Sequence, residues 1–244
     1  MNLSGRLRTP SALALFLACS LTVSAQWGKK HYSEWSEKES LHVLNDSPWG
    51  QTEVFTTNTS EGVVPDREGD PNRAIDQGGS RMRYFAQVNF RIRFLTAKPV
   101  RQAISRLYEI NRKGELSLQF KEKLKAFVAE ESPDSVIVSV YPDAARESVK
   151  LQRARELLAR LTTEALKGKA YLAVADRRVY LEEYQQPAPD GIGARFIFPR
   201  QLDGKPLLGP GDDSIRFYAE LSPAYTLDKR YKAKNMVYEG RLEY

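Results

Sequence analysis

Two histidines, three pairs of adjacent carboxylates, one tyrosine–glutamate–tyrosine alternation and one run of arginines are the groups in this chain that could do chemistry. His31 and His42 fit no H-E-x-x-H metal motif. A helix joining them would hold them about 16 Å apart along its axis, too far to share one ion. No G-x-S-x-G elbow is present to supply a nucleophile for a histidine base. The carboxylate pairs are Glu130-Glu131, Glu182-Glu183 and Asp212-Asp213. Adjacent residues of a strand point to opposite faces, so Glu182 and Glu183 cannot attack one bond together. Tyr180, Glu182 and Tyr184 would share a face of one strand, two rings flanking an acid, which reads as a glycan-stacking platform or as ordinary strand tyrosines. Asp66, Glu68, Asp70 and Asn72 alternate as an EF-hand loop begins. Pro71 and Gln77 stand where the turn glycine and the bidentate glutamate belong, so a solvated acidic loop is expected and no metal.

The basic run departs most from the average. Arg81, Arg83, Arg91, Arg93, Lys98, Arg101, Arg106, Arg112 and Lys113 face a single acid, Glu109. Arg81, Arg83, Arg91 and Arg93 share odd parity in a segment that alternates from Met82 to Thr96, so one strand would carry all four on one side. Two readings follow: an anion-binding solvent face, or a face neutralised by Glu182 or Glu183 from a neighbouring strand.

The elements that would position these groups are legible in outline. In "WSEKESLHVLNDSPWGQT" (35–52), Ser36 and Glu39 form a capping-box pair, Leu41 and Leu44 share a face, and Asn45 with Pro48 stops the helix. Trp35 and Trp49 flank that helix and would dock it onto the body, since a helix so short is marginal alone. Residues 56–80 are polar and turn-rich, which predicts a long flexible loop. Pro99 opens a second helix striped by Val100, Ala103, Ile104, Leu107 and Tyr108. Phe120, Leu124, Phe127 and Val128 stripe a third, and Ser135–Tyr141 reads as a buried strand. Asp143 is the expected cap of a longer helix ending at Gly168. Strands are then expected at 170–175, 179–185, 194–199, 214–221, 227–234 and 236–244.

Arg6 and Arg8, the apolar run Ala12 to Val23 and the small residues Val23-Ser24-Ala25 predict a signal segment over 1–25, cleaved to leave a chain beginning near Gln26. Cys19 offers lipoprotein anchoring as an alternative, with Phe16 and Leu17 poor residues before a lipidated cysteine. The mature chain then has no cysteine, which excludes disulfides and thiol catalysis, and no apolar run long enough to cross a membrane. The net charge of +6 falls by two with the signal arginines, too weak to argue for nucleic acid. No glycine-rich phosphate loop or dinucleotide fingerprint marks a cofactor.

Four blocks in order, residues 35–52, "NFRIRFLTAKPVRQA" (89–103), "GARFIFPR" (193–200) and "KNMVYEGRLEY" (234–244), resemble a family of exported bacterial proteins of unknown function. The resemblance implies export and a shared fold, and assigns no activity, cofactor or residue role. The element order predicts an α+β fold, a mixed or largely antiparallel sheet with about three helices packed on one face, preceded by a short N-terminal helix and a long loop. The expected organisation is a signal at 1–25, the helix and flexible loop at 26–80, and one α+β domain at 81–244 with a possible sub-boundary near 168. The functional expectation is a non-enzymatic binding or scaffold protein of the cell envelope that contacts an envelope protein or anionic polymer. The alternative is a hydrolase of envelope polysaccharide.

Overall fold

A computed structural model describes residues 30–59, 84–112 and 114–244. Residues 1–25, expected to be a signal, with Cys19, the acidic stretch Asp66 to Asn72, and Arg81 and Arg83 lie outside the described residues. The fold is α+β, and among the described residues every strand pairing is antiparallel.

The N-terminal helix α1 (Glu37–Asn45) forms as its capping residues dictate: Ser36 Oγ accepts the Glu39 N–H at 3.2 Å and the Glu39 carboxylate accepts the Ser36 N–H at 2.6 Å. Its buried positions are Ser40, Val43 and Leu44, while Leu41, one turn before Leu44, stays partly exposed. Both flanking indoles are buried as docking anchors, and Trp49 donates its ring N–H to the Glu243 carbonyl at 3.0 Å. The chain then enters β1 (Gly50–Thr59), an edge strand that takes up residues 56–59, expected to be loop. Gly50 is required there, because a Cβ would stand 2.2 Å from the Leu44 carbonyl oxygen.

The first sheet runs β1, β2 (Tyr84–Phe94), β3 (Ser135–Asp143), β7 (Ala194–Pro199), β6 (Glu183–Gln185). The second runs β11 (Tyr225–Lys232), β10 (Ser214–Ser222), β4 (Ala170–Val174), β5 (Arg177–Tyr180). The two pack face to face through rings: Phe94 on Tyr231 at 4.9 Å between centroids, Phe90 on Tyr225 at 5.1 Å, Phe196 on Phe217 at 5.6 Å. Residues from before and after Gly168 share the first sheet and one hydrophobic core.

The opposite face of the first sheet carries α1, α2 (Lys98–Asn111) and, beside α2, α3 (Leu118–Ala129). The next helix, α4 (Val149–Arg160), lies on the other face with the second sheet, where Tyr184 of the core face donates to its Leu158 carbonyl. Ser148 caps α4, not Asp143. Asp143 is the last residue of β3, and its carboxylate is taken by Arg91 and Asn89. A short α5 (Thr163–Leu166) follows, capped by Thr162. Two hairpins, β8–β9 (Gln201–Leu202 and Lys205–Pro206) and β12–β13 (Val237–Tyr238 and Arg241–Leu242), complete the chain. The segment 236–244 is therefore a tight turn, not one strand. Glu239 and Gly240 adopt positive φ of 49° and 77°, and the chain doubles back. Among the described residues no helix is long and apolar enough to cross a membrane.

Candidate functional site

Arg91 and Arg93 do share a face of β2, but α1 and α2 cover it. Arg93 is 8% exposed; its Nε donates to the Leu44 carbonyl at 3.1 Å and its Nη2 to Asn45 Oδ1 at 2.9 Å. It thus caps the C-terminus of α1, where unsatisfied carbonyls and the helix dipole favour a cation. Burial pulls its pKa down to about 10, aided by the neighbouring Arg91 charge and opposed by Asp143, so it remains charged at neutral pH. Arg91 donates through Nε to Asp143 at 3.0 Å and through Nη1 to the Thr52 hydroxyl at 2.7 Å. The expected solvent face of free arginines is corrected for this pair. The partner is Asp143 rather than Glu182 or Glu183, because β3 and not β5 or β6 is the neighbour of β2.

The platform of Tyr180, Glu182 and Tyr184 is also corrected. The chain leaves the second sheet after Tyr180 and joins the first at Glu183. The Leu181 N–H bonds the Ala170 carbonyl and the Glu182 N–H bonds Ile197, so the strand switches sheets between them. Tyr184 points into the core at 7% exposure and donates to Leu158 at 2.5 Å, and burial raises its pKa. Tyr180 aligns instead across strands with Tyr171 and Tyr218. Tyr171 stacks on Tyr218 at 4.8 Å and carries the Arg178 guanidinium 4.1 Å above its ring, so protein groups occupy the surface a sugar would need.

A groove lies where the arginine face meets α1 and α2, with a volume of about 620 Å³. Leu41 and Leu44 of α1, Ile104 and Leu107 of α2, and Ile192 form apolar walls. Arg93 and Tyr141 line it from the sheet, and Asn111 and Arg112 stand at the end of α2. Leu41 and Tyr108 keep 41% and 37% of their surface exposed, because the helical stripes are wider than the sheet beneath them. Tyr108 donates its hydroxyl to the Asp190 carbonyl and ties α2 to the 186–193 loop. The Asp190 carboxylate is held by Arg195 at 2.5 Å and by the Ile192 N–H at 3.0 Å. Gly193, at φ +99°, lets that loop close on the sheet, since a Cβ would lie 2.3 Å from the Val140 carbonyl oxygen.

A second cavity of about 630 Å³ lies between the N-terminus of α2 and the C-terminal hairpin, and several of its charged groups are taken up internally. Lys98 pairs with Glu239, the Lys98 N–H donates to Glu243, and Arg200 bonds the Tyr244 carbonyl oxygen. Arg101 is buried there and donates to the carbonyls of Thr96, Leu95 and Val128. Among the described residues no group of three His, Cys, Asp or Glu side chains could hold a metal ion. His31 sits 2.7 Å from the Ser33 hydroxyl, and His42 pairs with Asp46 at 3.5 Å.

No family model matches the chain, and no curated protein matches it. Among solved structures, a novel protein of unknown function from Burkholderia pseudomallei K96243 is similar at a TM-score of 0.37 and 13% identity. The likeness covers 58% of this chain and 72% of that one. At that level it carries no inference about fold or activity.

Proposed function

We propose that the protein is an exported, non-enzymatic binding protein of the cell envelope, and that its binding site is the groove between α1, α2 and the 186–193 loop. The observation that carries this reading is the groove itself: a space of ligand size, walled by apolar side chains of which Leu41 and Tyr108 stay exposed, with a few polar groups converging on it. Its walls come from a helix end tied down by Arg93 and a loop tied down by Arg195, so the site is held open rather than formed on binding. Export rests on the basic start, short apolar run and small residues of 1–25, and on the four blocks that resemble exported bacterial proteins.

Titration with the neutral fluorophore N-phenyl-1-naphthylamine tests the site without regard to charge. Saturable binding at micromolar concentration is expected, and Leu107→Trp should abolish it by filling the groove while leaving the circular dichroism unchanged. Undiminished binding to a folded Leu107→Trp protein would place the apolar site elsewhere and defeat the reading.

A further inference from the structure

The chemistry of the groove's polar groups specifies its ligand further. A guanidinium has five N–H donors. Arg93 spends two of them, on Leu44 and Asn45, and among the described residues the other three have no protein partner. No carboxylate of a described residue pairs with Arg93, although its side chain is more than nine-tenths buried. The Tyr141 hydroxyl, which lines the groove beside it, also makes no hydrogen bond to a described residue. Arg112 adds a second cation at the end of α2, its guanidinium 5.0 Å from the Phe120 ring. The acid on the groove's lining, Asp190, is neutralised by Arg195. The groove is therefore cationic at its sheet-side lining and apolar along its walls, and donors that line it without being taken up by protein acceptors favour a ligand that supplies an anion.

We infer that the ligand is an aliphatic monocarboxylate, its carboxylate seated between Arg93 and Tyr141 and its chain laid along Ile104, Leu107 and Ile192. The two terminal nitrogens of Arg93 retain free N–H groups, and a planar carboxylate accepts two parallel bonds from such an edge. The hydroxyl of Tyr141 supplies a third donor. The apolar tail is held by area alone and confers no sequence or headgroup selectivity. This inference rests on the groove being the ligand site, and the experiment separates the two.

The full chain, loaded with N-phenyl-1-naphthylamine, is titrated with dodecanoate, dodecanol, monododecyl phosphate and dodecyltrimethylammonium. Dodecanoate should displace the probe at a concentration about tenfold or more below that of dodecanol, the range a hydrogen-bonded charge provides. The cation should compete worst. Tyr141→Phe should weaken dodecanoate several-fold and leave dodecanol unmoved, and Arg93→Met should erase the preference. Because Arg93 also caps α1, Arg93→Met can fail to fold; Tyr141→Phe, whose hydroxyl bonds no described residue, then decides. Equal displacement by dodecanoate and dodecanol overturns the carboxylate assignment and leaves the groove reading standing. Tighter binding of the phosphate ester overturns it in favour of a phosphate head. Displacement by none of the four overturns the groove reading.

Discussion

Replacing Trp49 by phenylalanine probes the junction on which the N-terminal segment depends. The Trp49 carbonyl accepts the Phe94 N–H at 2.9 Å, its indole N–H reaches the Glu243 carbonyl at 3.0 Å, and its ring meets Tyr238 edge-on at 5.9 Å. One residue thus joins the end of α1 to the β2 strand through its backbone and to the C-terminal hairpin through its side chain. Phenylalanine keeps the ring contact and removes the donor, leaving a part-buried carbonyl unpaired at a cost of about 1–2 kcal/mol. The smaller ring also vacates roughly 40 Å³, worth about 1 kcal/mol at the cost per volume seen for core cavities. The sum, about 2–3 kcal/mol, corresponds to a melting temperature lower by roughly 5–10 °C for a domain of this size. Urea unfolding followed by far-ultraviolet circular dichroism measures it, because removing an indole alters the fluorescence baseline. A loss below about 0.5 kcal/mol, the range of an ordinary surface change, would refute the claim that Trp49 welds these elements together.

Gly193→Ala should cost more than about 3 kcal/mol, because the new Cβ meets the Val140 carbonyl oxygen, whereas Gly191→Ala, at φ +69° with open space around it, should cost only about 1 kcal/mol; thermal melts of the two side by side check the contrast. Ser36→Ala should destabilise by about 1 kcal/mol through loss of the α1 cap. The Glu39 carboxyl is held down at about 2 by the Ser36 N–H first, then the Ser36 hydroxyl and Lys30. A depressed carboxylate stabilises the fold above its ordinary value of about 4.5, and the contribution is lost as pH falls through about 2. Glu39→Gln should accordingly flatten the stability profile between those values, and an unchanged acid limb would contradict it. Mass spectrometry of protein exported by the producing cell should give a chain beginning near Gln26; a product retaining Met1, or one starting at lipidated Cys19, would overturn the signal reading.

Local chemistry made much of this fold legible. The capping pair Ser36 and Glu39, Pro99 at the head of α2 and the alternation of Ala194–Pro199 all form the elements their residues imply. The departures share one cause: periodicity reports which residues share a face, but not what covers that face. The parity of Arg91 and Arg93 is right, yet helices rather than water lie over them. The segment 179–185 alternates until Glu182 and Glu183, two consecutive exposed residues, and that slip of phase marks the change of sheet. Glu239-Gly240 held a turn signal that the surrounding alternation masked. Strand β1 has few apolar residues because it is an edge strand with a polar outer side, and it went unseen for that reason. The groove had one trace in the sequence: the α2 stripe runs on to Tyr108, past the width a single sheet contact can bury. Its other members, Leu41, Tyr141 and Ile192, come from separate elements and meet only in three dimensions.

Amide hydrogen exchange of the whole chain, with and without saturating dodecanoate, tests the binding site most directly because it reports where a ligand sits. Protection should rise at 41–46, 104–112 and 188–193, the end of α1, the end of α2 and the loop that close the groove. Unchanged exchange in all three, or protection confined to 171–180 and 214–220 on the outer face of the second sheet, would contradict the account.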